Sequence, residues 1–398
     1  MDFLPHFSFN EKSSVLLIAF VHAIIFSALL LKKGLSEQNQ ASLWLSAFIF
    51  LGGLYLCPFM LGYAGWYSDK LGYHEFMFFV PFQQLFLIGP VFYFYVKSLL
   101  DRKLSLRKPD LLHFVPALLY AVYSLVVFIT DKFILDEFYF YADGRDKDLA
   151  FWYQMAGLIS MLAYLVMSLR AYFRYRALSL QEVSYADEIA FSWIKHFTMA
   201  FGLILVLRVL FFILNPEWGA FGSKYWYYLC FSILLVYISI NGFAQTIRAT
   251  ISLRPQLLGS FAPLAQQASP APDPSPVPEP ASTEVLDSWK EKISHLFEAE
   301  EVYKKPDLTL TDLASQLETN RNIISKAINQ AFGMNFNDFV NQKRAEAVIT
   351  QLQQGAHHLN TLLGIALDCG FNSKTTFNRA FKKYTGTTPR QFIVKNQL

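Results

Sequence analysis

Seven apolar runs of about 20 residues each dominate the first 250 residues of this 398-residue chain. A helix needs about 20 residues to cross the hydrocarbon core of a bilayer, where it satisfies its own backbone hydrogen bonds. One large buried soluble core is the alternative, and so many runs with short loops between them argue against it. We predict an all-α fold with seven transmembrane helices, over residues 14–31, 42–62, 76–98, 111–129, 150–169, 193–214 and 225–245.

The composition supports a membrane protein without catalytic chemistry. Charged residues make up 16% of the chain, whereas soluble domains average about 25%. Cys57, Cys230 and Cys369 stand far apart without CxxC spacing, so neither a cysteine zinc site nor a disulfide framework is expected. The membrane half contains no carboxylate dyad, Ser/His/Asp set or phosphate-binding glycine loop. We therefore predict no enzyme activity, no metal ion and no cofactor.

Basic residues in the loops predict the orientation of the bundle. Lys and Arg concentrate on the cytoplasmic side of a membrane. When the loops are taken alternately, one set carries twelve of these residues and the other set six. The N-terminus is then outside and the C-terminus cytoplasmic, which requires an odd number of spans. Positive charge follows the first run instead of preceding it, so we expect this run to be a retained span and not a signal peptide.

Polar side chains within the spans suggest where a signal could bind, because such residues are costly in hydrocarbon. Our candidate signal site consists of Arg208, His22 and Gln83. Arg208 could bind an anionic ligand. It also lies only about 9 Å from the outer end of its run, so snorkelling to the interface is the alternative. For His22 and Gln83 an interhelical hydrogen bond is the simpler interpretation.

Two further features of the membrane half affect the shape of such a site. Pro81 and the pair Gly89-Pro90 predict a kink in the third span. The longest outer loop, 131–149, contains six acidic residues among Phe and Tyr. We expect this loop to be solvated, and a cover over a ligand site is the alternative.

A proline tract divides the chain. Proline occupies every second position from Pro270 to Pro280, which excludes a helix or a central strand because proline lacks the amide hydrogen. We predict a membrane domain over 1–250, an extended linker over 251–283 and a soluble domain over 284–398. The linker is expected to be a passive spacer, with a Pro-rich docking ligand as the alternative.

The soluble domain repeats one design twice, over about 308–333 and 361–385. In each copy a short helix, a tight turn and a second helix follow one another. The second helices are predicted over 321–331 and 374–384, and their inner and outer positions recur at an offset of 53 residues. The apolar positions of the two first helices recur at an offset of 52 residues. A helix, tight turn and helix with a polar outer face is the helix-turn-helix design, whose second helix enters the major groove of DNA.

The outer faces of both second helices carry side chains suited to nucleic acid. Arg and Lys reach guanine, and Asn pairs with adenine. The stretch 370–398 has six basic residues and no acidic residue, which suits a phosphate backbone, whereas the first motif is nearly balanced in charge. The outer positions are Arg321, Asn322, Ser325, Lys326 and Asn329 in the first motif, and Lys374, Thr375, Asn378, Arg379 and Lys382 in the second.

The second motif resembles that of AraC/XylS-type transcription regulators. The resemblance is carried by Gly370-Phe371-Asn372-Ser373, Phe377, Arg379, Phe381-Lys382-Lys383, Gly386 and Pro389. The first motif is similar more loosely, with Glu318 where the family often has glycine. The predicted helix around 336–352 matches the connecting helix of the family, including Arg344. The resemblance covers about 284–398.

This resemblance implies two helix-turn-helix subdomains that insert into successive major grooves of double-stranded DNA. Carried over by position, it implies that Arg321, Asn322, Ser325 and Lys326 read bases in the first motif. In the second motif it implies the same role for Lys374, Thr375, Asn378 and Arg379. Asn372, Ser373 and Lys382 would favour phosphates. RNA polymerase is a further partner that the family implies.

The sequence therefore predicts a transcription regulator embedded in the bacterial inner membrane. Its membrane half would sense a small-molecule or envelope signal, and homodimerisation would pass the response on, because a flexible linker transmits force poorly. One alternative is a membrane transporter or enzyme with a regulatory C-terminal DNA-binding domain. Another is a DNA-tethering protein with no sensing role.

Overall fold

A computed structural model describes most of the chain, and all statements below concern the described residues. Within them every regular element is a helix, which confirms the all-α fold class. Most of the predicted linker, residues 252–282, lies outside the described part. The described residues are 7–67, 73–101, 104, 106–137, 139–140, 147–184, 191–214, 223–251 and 283–397.

The chain divides into two compact units. The first unit comprises Met1–Tyr172 and Ser192–Gln267, and the second comprises Phe173–Phe191 and Ala268–Leu398. The division therefore falls within a helix of the membrane half, and the residues after Tyr172 group with the C-terminal unit.

Eight helices account for the apolar half of the chain. Six helical segments are long and apolar enough to cross a membrane: Glu11–Ser36, Gln40–Tyr63, Lys108–Ile134, Phe151–Glu182, Trp193–Leu214 and Lys224–Gln245. Each corresponds to one of the predicted runs. The helices are α1 (Glu11–Ser36), α2 (Gln40–Tyr63), α3 (Tyr73–Phe79), α4 (Leu85–Leu100), α5 (Val115–Ile129), α6 (Phe151–Glu182), α7 (Phe191–Val209) and α8 (Lys224–Ile251).

The third predicted run is not one continuous helix, so this part of the prediction is wrong. Helix α3 ends at Phe79 and α4 begins only at Leu85. Pro81 lies in the break and cannot donate a helical hydrogen bond. The predicted kink is thus an interruption of the helix, whereas Pro90 lies within α4.

Side chains from outside the third run bind the backbone groups that the break leaves free. Lys147 Nζ donates to the carbonyl oxygens of Phe78 and Phe79, both at 3.2 Å. Asp148 Oδ2 accepts from the amide of Gln83 at 3.1 Å, and Tyr153 Oη donates to the carbonyl of Gln83 at 2.6 Å. Non-helical backbone at membrane depth is tolerated only where protein groups satisfy it in this way.

The first unit exposes a strongly apolar surface around a packed centre. Helix α2 is the most buried of the candidate spans. By contrast, Ile18 of α1, Leu118 of α5 and Ile159 of α6 are each more than 60% exposed. Contiguous apolar surface of this extent is uncommon on soluble proteins and suits contact with hydrocarbon.

The second unit contains seven further helices around two cores. One core includes Ile293, Phe297, Ile324 and Phe339, and the other includes Val348, Ile365, Phe377 and Phe381. The fourth of these helices contributes to both, because its first half faces one core and its second half the other. The helices are α9 (Thr283–Ala299), α10 (Leu310–Gln316), α11 (Arg321–Phe332), α12 (Phe336–Gln353), α13 (Leu362–Asp368), α14 (Lys374–Thr385) and α15 (Pro389–Asn396).

Candidate nucleic-acid interface

The two repeated segments fold into two motifs of matching dimensions. Helices α10 and α13 have 7 residues each, and α11 and α14 have 12 each. Their first residues lie 52 and 53 positions apart, as the sequence repeat predicts. The additional residue of the second motif therefore lies in its turn. Helix α12 joins the two motifs, as expected for a connecting helix.

Capping side chains define where each second helix begins. Asn320 Oδ1 accepts from the amide of Asn322 at 2.8 Å, which makes Asn320 the N-cap of α11. Ser373 is the equivalent cap of α14, and its Oγ accepts from the amide of Thr376 at 3.3 Å. Both helices end at a glycine with positive φ, Gly333 at +68° and Gly386 at +77°. Glycine adopts this conformation without the cost that a Cβ brings.

The inner faces of the second helices are buried for the most part. Ile324, Phe377 and Phe381 are at most 2% exposed. Tyr384 is an exception, because its side chain is 45% exposed where the repeat predicts an inner position. It lies in the last turn of α14, and burial, together with the nearby carboxylate of Glu346 of α12, raises the pKa of its hydroxyl.

The predicted base-reading residues lie on the outer faces. In α11, Asn322, Lys326 and Asn329 are exposed, whereas Arg321 and Ser325 are half-buried. Arg321 Nη1 is 3.6 Å from Glu182 Oε1, so this side chain is engaged by a carboxylate. The exposed residues of α14 are Lys374, Thr375, Asn378, Arg379 and Lys382.

An open groove of about 890 Å³ brings the α14 residues together. All five of the predicted contact residues of α14 line it. Arg390, at the start of α15, and Thr361, the N-cap of α13, border the same groove. In the sequence Arg390 is only one of six basic residues in the stretch 370–398, because nothing in the repeat places α15 beside α14.

The residues predicted to favour phosphates have different environments. Lys382 is exposed. The Ser373 hydroxyl is already used as a helix cap and lies 3.1 Å from Thr376 Oγ1. Asn372 is half-buried, and its Oδ1 has no hydrogen-bond partner among the described residues. The phosphate diesters of DNA carry acceptors and no donors, so they cannot bond an amide oxygen. A contact between Asn372 and a phosphate would therefore come from the NH₂ group of Asn372.

In the membrane half, Arg208 and Gln83 belong to one buried polar cluster. Arg208 is 5% exposed and donates to Tyr55 Oη at 3.2 Å and to the side-chain oxygen of Gln154. Gln154 Nε2 in turn donates to Gln83 Oε1 at 2.9 Å, and Gln83 Nε2 donates to Tyr228 Oη at 3.3 Å. Arg208 therefore points inward instead of snorkelling to the interface.

His22 lies apart from this cluster. Its Nε2 is 2.6 Å from Ser239 Oγ, a contact between α1 and α8, and its ring stacks on Phe26 with centroids 4.3 Å apart. The structure thus brings together two of the three predicted signal-site residues. His22 makes an interhelical hydrogen bond, which was the simpler of its two predicted roles.

Linear patterns did not identify Tyr55 and Tyr228, whose hydroxyls bond Arg208 and Gln83, or Asp148, which accepts from the amide of Gln83. Asp148 is 5% exposed and accepts from Tyr120, so the expectation of a solvated outer loop is wrong for this residue. Asp131 is also buried, at 1% exposure. Within the described ranges, no three His, Cys, Asp or Glu side chains come close enough together to hold a metal ion.

The geometry of residues 308–397 is that of a tandem helix-turn-helix domain, and comparison with known proteins supports this class. The profile of a family described as "Helix-turn-helix domain" matches residues 313–394. The C-terminal part of the chain is therefore similar to a helix-turn-helix domain.

Curated relatives are similar to a limited part of the chain. Proteins called "uncharacterized HTH-type transcriptional regulator" from Staphylococcus aureus strains COL, MSSA476 and N315 are each 29% identical over 102 residues. This match covers 26% of the chain and 13% of each relative. The chain thus spans about an eighth of the length of these relatives. No solved structure matches the chain.

Proposed function

We propose that this chain is a membrane-embedded transcription regulator that binds DNA at specific sequences through residues 284–398. One observation carries the proposal: two motifs with equal helix lengths present the predicted base-reading side chains on exposed outer faces. The second motif is the stronger reader. Its groove gathers Lys374, Asn378 and Arg379, which suit base edges, with Lys382 and Arg390, which suit phosphates.

The first motif contributes fewer basic residues to DNA binding, and its only arginine, Arg321, is paired with a carboxylate. Asn322, Lys326 and Asn329 are exposed and available to DNA, with Ser325 beside them, whereas Arg321 faces Glu182. We place the DNA-binding domain in the cytoplasm at the inner membrane of a bacterium, with the N-terminus outside. The basic loops and the requirement for DNA agree on this orientation. Homodimerisation and contact with RNA polymerase complete the proposal.

The buried cluster around Arg208 is our proposed signal site. A cavity of about 170 Å³ is lined by Arg208, Lys224, Gln154 and Tyr228 together with apolar side chains such as Phe212. Two cations in an otherwise apolar cavity favour an anionic ligand with a hydrophobic body. Such a ligand would exchange the hydrogen bond from Arg208 to Gln154 for one to its own anionic group, and would thereby alter the packing of α6 against α7.

A binding selection with the full chain in lipid nanodiscs tests the proposed function. The protein is incubated with random duplex DNA at two salt concentrations, and bound sequences are recovered. We expect an asymmetric site with two recognition elements about one helical turn apart. Binding that is sensitive to salt but enriches no sequence would indicate a nonspecific clamp. Absence of binding by the folded wild type and by every folded variant tested would contradict the proposal.

A further inference from the structure

The C-terminal end of α6 belongs to the same compact unit as the helix-turn-helix motifs. Residues Phe173–Phe191 group with 268–398, and the structure describes them as far as Ser184. We call residues 173–184 the docking segment. It comprises the last turns of α6, which end at Glu182, and the two residues that follow.

Backbone hydrogen bonds hold the end of the docking segment. The amide of Ser184 donates to the carbonyl of Leu308 at 3.1 Å, and Val183 pairs with Thr309 in an antiparallel bridge. Thr309 is also the N-cap of α10. The segment is therefore attached at the point where the first helix-turn-helix motif begins.

Two asparagines of the connecting helix α12 bind the same backbone. Asn337 Nδ2 donates to the carbonyl of Ser184 at 2.8 Å and to that of Val183 at 3.3 Å. Asn341 Nδ2 donates to the carbonyl of Ser184 at 3.3 Å. Both asparagines are at most 4% exposed. Buried amides need partners, and the docking segment supplies those of Asn337 and Asn341.

Arg344 connects this contact to the interior of the domain. Its Nη2 donates to Ser184 Oγ at 3.2 Å and to the carbonyl of Lys305 at 2.7 Å, and its Nε donates to the carbonyl of Tyr303 at 2.8 Å. Ser184 is fully buried. The surface that receives the segment is thus built from α12 and from the strand-like stretch before α10, with matched donors and acceptors.

Glu182 of the docking segment lies beside a predicted base reader of the first motif. Glu182 pairs with Arg321 at 3.6 Å. Burial, together with the like charge of Arg176, lowers the pKa of Arg379. Arg176 and Glu182 are one and two-thirds turns apart on α6. The segment therefore engages an outer position of α11 directly, and the charge of Arg176 acts on Arg379 of α14.

We propose that the docking segment and DNA compete for the helix-turn-helix domain. In the docked state Arg321 is held by Glu182, and the end of α6 occupies space that a major groove would need. DNA binding then requires release of residues 173–184. Since α6 begins at Phe151 and carries Gln154 of the Arg208 cluster, a signal can act on the DNA-binding domain through α6 without passing through the proline linker. This inference rests on the proposed function.

Variants within the docking segment test the competition without altering residues 283–397. Ser184→Trp places a large side chain at a fully buried position and should expel the segment. Glu182→Gln removes only the charge that faces Arg321. With the full chain in nanodiscs, we expect Ser184→Trp to bind the selected DNA at least about tenfold more tightly than the wild type, a change of about 1.4 kcal/mol. We expect about a threefold gain for Glu182→Gln, in the range of exposed ion pairs.

A matched control distinguishes local release from a general loss of negative charge. Glu298→Gln removes the same charge from an exposed position of α9 in the same unit and should leave the affinity unchanged. A gain for Glu298→Gln equal to that for Glu182→Gln would mean that net charge alone is responsible, and the competition would be overturned.

A covalent lock tests the docked state directly. Ser184→Cys combined with Asn337→Cys, joined by a short reversible cross-linker, should trap the segment and abolish DNA binding, with recovery on reduction. Either single variant with the same reagent is the control. Tight binding by the locked protein, or no gain from Ser184→Trp, would overturn the competition while the proposed function stands. Absence of sequence-specific binding by the wild type and by every variant would instead remove the proposed function itself.

Discussion

Glu318 and Gly370 occupy equivalent positions in the two helix-turn-helix turns, 52 residues apart, and both adopt positive φ, at +50° and +90°. Glycine reaches this region freely, whereas a side chain with a Cβ does so at a cost of about 1–2 kcal/mol. The first motif therefore keeps the backbone geometry of the turn although it lacks the glycine. The departure of Glu318 from the family pattern changes the cost of the turn and not its shape.

Replacing Glu318 with glycine should stabilise the first motif. Relief of the left-handed conformation is partly offset by the greater freedom of glycine in the unfolded chain, so we expect a net gain of about 0.5–1 kcal/mol. Hydrogen exchange of the amides of α10 and α11 in the full chain measures this locally. Glu318→Ala is the matched control, because it removes the same carboxylate but keeps the Cβ. Equal protection in both variants would contradict the explanation.

The reverse substitution in the second motif should be damaging. A Cβ on Gly370 would lie 2.4 Å from the carbonyl oxygen of Tyr303 and 2.8 Å from Cα of Lys304, both backbone atoms. We expect Gly370→Ala to lower the local stability of α13 and α14 by about 2 kcal/mol or more, from backbone strain and this close contact. The same hydrogen-exchange measurement applies. Gly333→Ala, whose Cβ would meet nothing within 4 Å, isolates the strain from the contact.

Arg379 is the residue of α14 with which the proposed base reading is tested most sharply. Arg379→Ala should cost about 1–3 kcal/mol of binding free energy and relax sequence preference at one base pair. Repeating the binding selection with this variant measures both effects. Lys395→Ala removes a positive charge near the C-terminus and should weaken binding without changing the preferred sequence. An unchanged site after Arg379→Ala would remove this residue from the reading set.

Arg344 should be required for the fold of the second unit. Its guanidinium bonds the carbonyls of Tyr303 and Lys305 while 1% exposed. Lysine keeps the charge but cannot reproduce the planar fork. We expect Arg344→Lys to destabilise the unit by about 3 kcal/mol, since it leaves buried carbonyls unpaired. Thermal unfolding followed by exchange in α12 measures this loss. The neighbouring change Lys343→Arg, at a partly exposed position, should have little effect.

Arg208 should support both stability and response in the membrane half. Arg208→Gln removes the donor to Tyr55 and Gln154, and should lower the thermal stability of the protein in detergent by about 2 kcal/mol. Reporter transcription should also stop responding to the inducing signal. Lys195→Gln is the control, because Lys195 is exposed on the same helix. A normal response in Arg208→Gln would separate the cluster from sensing.

Local patterns were sufficient to predict most of the helices. Apolar length located the spans, and the repeat offset by 52 and 53 residues fixed α10, α11, α13 and α14, because periodicity depends on neighbours in sequence. The break after Phe79 was only partly predicted. Proline indicated a disturbance, but the interruption persists because Lys147 and Asp148 bind the freed backbone. These two residues lie more than 60 positions away, so no local window includes them.

The functional clusters depend on contacts that a linear pattern does not contain. Tyrosine counts as apolar in a hydrophobic run, so Tyr55 and Tyr228 gave no sign that their hydroxyls face Arg208 and Gln83. The docking segment follows a span and carries several charges, which is typical of a solvated loop. The burial of its last two residues, Val183 and Ser184, depends on donors on α12, more than 150 residues later. The sequence around Asn337 and Asn341 does not indicate that their side chains bind a distant segment.

In both motifs the residues that form the core lie on the inner face of the second helix, and the residues that would contact an operator lie on its outer face. Exchanges at Asn322 or Lys326 leave Ile324 and the shared helix α12 untouched, and the same holds for Asn378 beside Phe377. A lineage can therefore alter the promoters it controls through one half of the domain while the other half keeps it anchored. Regulatory targets can diverge in this way faster than the protein fold that serves them.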